Sequence, residues 1–326
     1  MPAADLHPEL GRWGFGAAGI GNLYREVSDE VATATVQAAW DGGVRYFDTA
    51  PHYGLGLSER RLGAALADKP RDEYLVSTKV GRLVVPNPDP TEDDMASGFA
   101  VPGTLRRQWD PSEAGVRRSL DESRERLGLD RIDIAYLHDP DVYDLGQGIA
   151  EGLPALATLR AEGALGGIGV GANSAEALVA CVRAAHEQGH GLDLVMLAGR
   201  YTLLEQPALA ELLPLCMELG VGVVNVGVYN SGLLARAVVP EDAHYNYAQA
   251  PAELIARART LAEVCQEFGV DLPTAALQYS LRYPAVRSVV VGAASPAQME
   301  QNVERAQTAV PEELWVELIR RGLIPA

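Results

Sequence analysis

The chain has 326 residues, 48% of them hydrophobic and 22% charged, which supplies apolar material for a large core and excludes a disordered segment. A formal net charge of -17 with no basic stripe excludes a phosphate backbone as partner, so no nucleic acid is expected. The apolar run over residues 221–228 is far too short to span a bilayer, and no membrane partner is expected either.

In chain order, residues 13–20 read as a first strand weakened by its glycines. Ser28 followed by Asp29 and Glu30 opens a helix with a capping hydroxyl and an acidic first turn, and Gly42-Gly43 ends it near residue 41. Strand two is predicted over 44–47, a helix over 58–67 and strand three over 74–78. Residues 81–110 are rich in Pro, Gly and Asp and read as a long functional loop. Pro111-Ser112-Glu113 opens a helix through Leu127, closed by Gly128, and strand four follows over 132–137. Residues 148–161 read as helix, 167–171 as strand five and 174–188 as helix. Strand six covers 192–197, a helix runs from about 206 to 219, and strand seven is 221–226. A second long loop, 228–250, leads into helices over 251–268 and 273–282. Strand eight, 286–291, is followed by a helix over 296–307 and an extra helix over 311–321.

Eight strands alternating with helices imply an α/β fold with a parallel sheet, either closed as a (β/α)8 TIM barrel or open and doubly wound. The count of eight favours the barrel. No linker divides residues 1–326, so a single domain is expected.

Cys181, Cys216 and Cys265 are far apart in helical stretches with no CxxC or Cys/His spacing. They read as reduced core thiols of a cytoplasmic protein, and no metal site is expected. The opening MPAADLHPELGRWGFG has neither a basic nor an apolar leader region, so no secretory signal is predicted.

In barrel enzymes the chemistry gathers at the carboxyl ends of the strands. Asp48 and Tyr53 follow strand two in YFDTAPHYG, Lys79 ends strand three in YLVSTKVG, and His138 ends strand four in IAYLHDPD. A phenol titrating near pH 10 is a poor acid or base at neutrality, and a buried ammonium beside it lowers that pKa. Asp48 supplies the counter-charge that keeps the ammonium protonated, and His138 can hydrogen-bond a substrate oxygen. Each residue also has a plain reading: Asp48 as a turn cap, His138 as a satisfied core histidine, Tyr53 as packing. Lys79 resists one, because the chain has only Lys69 and Lys79 as lysines and a strand-end lysine in apolar surroundings needs a partner.

FDTAPHYGLGLSERRLGAAL resembles the aldo-keto reductase signature, STKVG its lysine motif, and GVRRSLDESRERLGLDRIDIAYLHDPD its helix-strand-histidine segment. The order of elements matches along nearly the whole chain. The resemblance implies an NAD(P)-dependent oxidoreductase with Asp48, Tyr53, Lys79 and His138 as its catalytic tetrad. Where the family often has Gly-Val-Ser-Asn-Phe after strand five, this chain has Gly169-Val170-Gly171-Ala172-Asn173, so Asn173 is the remaining candidate for the nicotinamide amide. Ala198 stands where a glutamine is common. Tyr229 is the expected stacking aromatic, and Asn230, Ser231, Gly232 and Leu233 resemble the pyrophosphate loop. VVVGAASPAQMEQN resembles the adenosine segment, bringing Gly292, Ala294, Gln298, Gln301 and Asn302 to the cofactor. Members that prefer NADP carry basic side chains there to grip the 2′-phosphate. Gly292, Ala294 and Gln298 are uncharged, so NAD is expected to be preferred over NADP.

FGAAGIGNLYREVSDE, LAGRYTLLEQ, NSGLLA and ALQYSLRYPAVRSVVVGAASP are similar to the aldose 1-dehydrogenase branch of the family, which includes L-fucose (D-threo-aldose) dehydrogenases and has pyridoxal and L-galactose dehydrogenases as relatives. That resemblance implies oxidation of a sugar hemiacetal at C1 to a lactone, with Tyr53 as base. Trp13, Tyr24, His52 and Trp109 are candidate substrate walls, since aromatic faces pack on sugar C–H surfaces. Arg200 either binds cofactor or pairs with an internal carboxylate. The partner is a small sugar or aldehyde, and the chain is expected to act as a monomer or small homo-oligomer. Rival readings are a reductase for small aldehydes or pyridoxal, and a nicotinamide-binding regulatory subunit like the potassium-channel β-subunits that share this fold.

Overall fold

The computed structural model describes residues 10–245 and 248–326; the first nine residues, and with them most of the segment read as lacking a leader, lie outside the described residues. Its centre is a closed barrel of eight parallel strands: β1 (Trp13–Gly16), β2 (Tyr46–Asp48), β3 (Leu75–Val80), β6 (Ile134–His138), β7 (Gly167–Ala172), β8 (Leu194–Ala198), β9 (Gly222–Val226) and β12 (Val286–Gly292). Neighbours around the barrel run β1-β12-β9-β8-β7-β6-β3-β2, all in parallel register. The doubly wound alternative is thereby excluded, because an open sheet would leave two edges unpaired.

Helices wrap the barrel: α1 (Asp29–Asp41), α2 (Leu57–Leu66), α3 (Glu113–Leu127), α4 (Leu153–Ala161), α5 (Ala175–Glu187), α6 (Leu212–Leu219), α7 (Ala252–Glu267), α8 (Leu272–Tyr279), α9 (Pro296–Gln307) and the extra C-terminal α10 (Glu312–Arg320). Several start where a side-chain oxygen satisfies a free backbone N–H. Ser28 accepts from the Val31 N–H, Ser112 from Gly115, Ser174 from Ala177 and Asp271 from Thr274. Cys181, Cys216 and Cys265 are buried free thiols on α5, α6 and α7, as their periodicity implies.

Two apolar layers follow from strand alternation. Outward side chains such as Phe15, Phe47, Val76 and Ile168 pack under the helices, while Tyr46, Leu75, Ile134, Tyr136, Leu194, Met196, Val224 and Val290 fill the barrel. Glycine makes room for the two interior tyrosines. A Cβ on Gly14 would lie 2.8 Å from the Tyr46 ring, and one on Gly169 would lie 2.7 Å from the Tyr136 ring.

The structure departs from the sequence reading chiefly at residues 81–110. This segment is an antiparallel hairpin, β4 (Arg82–Thr91) paired with β5 (Gly103–Trp109), rather than an irregular loop. Its four prolines, Pro86, Pro88, Pro90 and Pro102, hid a two-stranded ribbon in which both strands are edges and tolerate missing N–H donors. Residues 148–161 begin with a π-turn at Gly148–Gly152 before α4, and the stretch read as one helix from 206 splits into a 3-10 turn, Pro207–Leu209, and α6. The loop after β9 carries a small hairpin, β10 (His244–Tyr245) with β11 (Ala248–Gln249). Among the described residues no helix is long and apolar enough to cross a membrane, and no acidic or thiol-imidazole group is arranged to hold a metal.

Candidate active site

At the carboxyl ends of β2, β3 and β6 the barrel brings Asp48, Lys79 and His138 together, with Tyr53 from the loop after β2. Lys79 Nζ donates to Asp48 Oδ2 at 2.6 Å and to the Thr49 carbonyl at 2.9 Å. The two side chains are 3% and 4% exposed, so the ion pair is out of reach of bulk water. The ammonium also stands 4.8 Å from the centroid of the Tyr53 ring. Two of its three N–H groups are committed to Asp48 and Thr49, which leaves one for the phenol side.

Below the pair, Ser77 Oγ donates to Asp48 Oδ1 at 2.7 Å, and the Tyr46 hydroxyl lies 3.0 Å from Ser77 Oγ and 3.1 Å from the Tyr136 hydroxyl. This chain of polar groups floors the site and satisfies the carboxylate that burial would otherwise penalise. Alongside, Ser58 and Glu59 of the signature act as fasteners. Ser58 donates to the Ala17 carbonyl, and fully buried Glu59 accepts from Thr78 at 2.8 Å and from Arg126 Nε at 2.6 Å. Glu59 thus fixes the residue next to Lys79 to α2 and α3.

Burial is the largest influence on Lys79 and pulls its pKa down, but Asp48 and Tyr53 outweigh it and leave the ammonium above its usual value. Lys79 is a cation at neutrality, as the sequence implied. Tyr53 differs from expectation: burial raises the phenol and the attraction of Lys79 only partly opposes it, so its pKa lies above the ordinary value rather than below. The burial that brings the phenol and the ammonium together acts on the phenol more strongly than the ammonium does.

His138 is held far below its usual pKa, first by burial and then by Arg82, Lys79 and His52, so it is a neutral imidazole. Its Nδ1 is buried with no partner among the described residues, and its Nε2 is 3.5 Å from Asp139 Oδ2. Asp139 adopts a left-handed backbone, φ 41, and accepts from Arg82 at 2.6 Å. Such strain in a non-glycine residue persists only where its surroundings enforce it. His52 also stays neutral, pushed down to about 2 by burial and then by Arg107, Arg82 and Lys79.

The residues expected around a cofactor line the other side of the mouth. The Tyr229 hydroxyl donates to Asn302 Oδ1 at 3.0 Å, and Asn302 Nδ2 donates to the Gly292 carbonyl at 3.4 Å, so three of the expected residues are joined. Burial raises the Tyr229 phenol to about 12, which keeps it a donor. Asn230 and Ser231 hold left-handed backbones, φ 46 and 57, next to Gly232 at φ 96, and Leu233 is buried beneath them. Asn230 Oδ1 is buried with no partner among the described residues, a polar atom that awaits a donor. Asn173 is exposed just beyond β7 with no bonded partner among the described residues. Gly292, Gln298 and Gln301 are exposed, and the Ala294 N–H donates to Gln298 Oε1 at 2.8 Å. The strained loop, the orphaned Asn230 oxygen and the uncharged amide-rich rim fit a dinucleotide. Arg200 stands 3.4 Å from Glu205, a carboxylate that also accepts from Asn230 at 3.0 Å and from Tyr245 at 2.6 Å.

The four expected walls separate. His52 stands among the reactive rings. Tyr24 is 55% exposed, with its N–H on the Gly98 carbonyl. Trp109 stacks on Tyr143 at 5.0 Å and donates to Gln147, which places it at the hairpin base. Trp13 is a correction: it starts β1, at the end of the barrel away from the site, and packs outward on the helix layer. Gly14 and Gly16 take the inward positions of that strand. Arg82, Asp139, Arg107 and Asp94 were not legible in the sequence, because Arg82 and Arg107 stand on the two strands of the unrecognised hairpin and reach Asp139 and Asp94 from there.

With this geometry in view, the family model described as the aldo/keto reductase family matches residues 12–318. The D-threo-aldose 1-dehydrogenase of Pseudomonas sp is 53% identical over 314 residues, covering 96% of this chain and 94% of that one. The pyridoxal 4-dehydrogenase of Microbacterium luteolum is 40% identical, covering 95% and 94%. Among solved structures, the glycerol dehydrogenase from Gluconobacter oxydans superposes with a TM-score of 0.76 at 23% identity over 97% of this chain and 94% of that one, a likeness of fold.

Proposed function

Because the chain belongs to the aldo/keto reductase family and is therefore an NAD(P)-dependent oxidoreductase, we propose that it oxidises an aldose of the L-fucose (D-threo) type at C1, yielding the lactone and reduced cofactor. The observation that carries the reading is the buried Lys79–Asp48 pair at 2.6 Å beside Tyr53, together with 53% identity to an aldose 1-dehydrogenase along nearly the whole chain. The 53% identity to an aldose 1-dehydrogenase along nearly the whole chain favours this reading over the regulatory-subunit alternative, which predicts cofactor binding without steady-state turnover.

The bound nicotinamide supplies the acceptor for the hydride that leaves C1. Tyr53 takes the proton of the C1 hydroxyl as the carbonyl forms, and the Lys79 ammonium stabilises the phenolate before it does so. Asp48 keeps that ammonium charged. His138, neutral and with a proton to donate, holds the C1 oxygen in place. Tyr229, Asn230, Ser231, Gly232 and Leu233 with Gly292, Ala294, Gln298, Gln301 and Asn302 would hold the cofactor, and Asn173 its carboxamide.

A preference for NAD over NADP is supported by the absence of a cation at Gly292, Ala294 and Gln298. Arg305, the next basic residue on α9, faces Asp271 at 3.9 Å. Comparing kcat/KM for the two cofactors tests this, and an NADP preference would defeat it. A cytoplasmic setting is supported by three buried thiols without a disulfide.

The deciding assay is steady-state cofactor reduction with L-fucose, D-arabinose, L-galactose and pyridoxal. Pyridoxal is the second reading, favoured by the 40% identity to a pyridoxal 4-dehydrogenase. Tyr53→Phe keeps the ring and removes the proton-transfer group, so kcat should fall by about 10²–10⁴-fold with cofactor binding retained. Undiminished turnover would remove Tyr53 from its role.

A further inference from the structure

Next to the phenol, His52 makes a set of contacts that packing alone does not require. Arg107 Nε donates to His52 Nδ1 at 2.7 Å, and Arg107 NH2 donates to the His52 carbonyl at 2.8 Å. The guanidinium is itself gripped by both oxygens of Asp94, one at 2.6 Å, and by Ser97 Oγ at 3.0 Å. A guanidinium N–H can only donate. Nδ1 of His52 is therefore the lone-pair nitrogen, and the single ring proton resides on Nε2. Protonation of the ring would set it against Arg107, Arg82 and Lys79, so this tautomer persists across the working pH range.

Nε2 of His52 has no acceptor among the described residues. Unlike Nδ1 of His138, it is not sealed from solvent. The ring packs edge-on against Phe99 at 5.3 Å, which fixes its plane. It forms a near-equilateral triangle with the two rings that address the reacting oxygen. The centroids are 5.5 Å apart for His52 and His138, 5.9 Å for His52 and Tyr53, and 6.0 Å for Tyr53 and His138. A substrate oxygen held between Tyr53 and His138 would leave the third ring, His52, within reach of the neighbouring carbon's substituent.

We propose that His52 is a specificity-determining residue whose Nε2–H, locked as a donor by Arg107 and Asp94, hydrogen-bonds the hydroxyl on the carbon next to the one oxidised, the C2 hydroxyl of an aldose. The assignment rests on the aldose reading and deepens it. It makes the site selective for carbonyl-level carbons that bear an α-hydroxyl, because a bound substrate that shuts water off from this donor without offering it an acceptor is penalised.

Two substitutions separate donation to substrate from anchorage by Arg107. His52→Asn keeps an acceptor near the Nδ1 position and loses the distal donor; His52→Gln keeps a distal N–H and loses the near acceptor. Each is assayed for kcat/KM with the best aldose and with its 2-deoxy and 3-deoxy analogues. A neutral hydrogen bond corresponds to roughly 3- to 10-fold. His52→Asn should lose that factor on the aldose and the 3-deoxy analogue but little on the 2-deoxy analogue, whereas His52→Gln should retain most of the discrimination. Equal loss by His52→Asn on all three substrates, no loss on any, or coupling to the 3-hydroxyl instead would overturn the assignment. If the unsubstituted enzyme turns over no aldose, the aldose reading itself fails and takes this inference with it.

Discussion

Replacing Lys79 by Met, Asp48 by Asn, and both together gives a thermodynamic cycle on the ion pair at the centre of the site. The partners are 2.6 Å apart and only 3% and 4% exposed. At an effective dielectric constant of about 20, their attraction is about 6 kcal/mol, and the desolvation of two ions offsets most of it. Removing one partner leaves the other buried and unmatched, so each single variant should unfold about 3–5 kcal/mol more easily in urea at pH 7. For Lys79→Met the stranded Asp48 still has Ser77 at 2.7 Å, which puts it toward the lower end of that range. The double variant buries a neutral amide against a thioether and should be less destabilised than the sum of the singles by at least about 2 kcal/mol. Activity should not follow stability: kcat should stay low in the double variant, because the phenol has lost its cation. Additive losses of stability would show that the two charges do not depend on each other, and recovery of kcat in the double variant would show that the ammonium is dispensable to Tyr53.

Two further outcomes follow from neighbouring groups. His52, at about 2, and His138, well below its usual pKa, both stay neutral in the fold while their unfolded counterparts titrate near pH 6.5. Their contribution to stability is therefore present above that pH and is lost as pH falls, by roughly 2.7 kcal/mol per pH unit for two protons between about pH 6 and pH 4. Urea titrations across that window should show the slope, with His52→Asn removing about half of it; a flat profile would contradict the burial of neutral imidazoles. At the adenosine end, Gln298→Arg adds a charge-assisted donor and should raise kcat/KM for NADP by roughly 10- to 100-fold, and an unchanged cofactor ratio would put the 2′-phosphate elsewhere.

Much of this was legible in the sequence because it depended on local rules. Strand-helix alternation and serine or aspartate caps located most elements within a few residues, and the nearness of Asp48, Tyr53, Lys79 and His138 could be foreseen because strand ends in a barrel converge. What escaped reading depended on long-range pairing. Arg82 and Asp139 are 57 positions apart, and Arg107 reaches back 55 positions to His52; no periodicity links such residues. The hairpin that carries Arg82 and Arg107 is proline-rich and half exposed, so neither alternation nor composition marked it as strand. Trp13 was misplaced because a weak glycine-rich strand does not reveal which of its faces points inward. Its register against Val289 and the inward Gly14 decide that.

The charges at the mouth are balanced in a way that bears on Tyr53. Lys79 is matched by Asp48, Arg82 by Asp139, and Arg107 by Asp94, and the two histidines between them carry no charge. Within the protein alone, therefore, little positive potential remains to overcome the burial of the phenol, and its pKa rises. Asp48, Asp139 and Asp94 are each committed to a cation of the protein, so an oxidised nicotinamide ring would bring a positive charge that none of these three is left to neutralise, whereas a reduced ring would bring none. In a water-poor site one uncompensated charge weighs far more than it does in solvent. In its proposed role Tyr53 would then release its proton most readily when the cofactor is in the form that accepts a hydride, and hold it when the cofactor is in the form that donates one. On that proposal the carboxylates that set this charge balance are as much a part of the acid–base chemistry as the lysine beside the phenol.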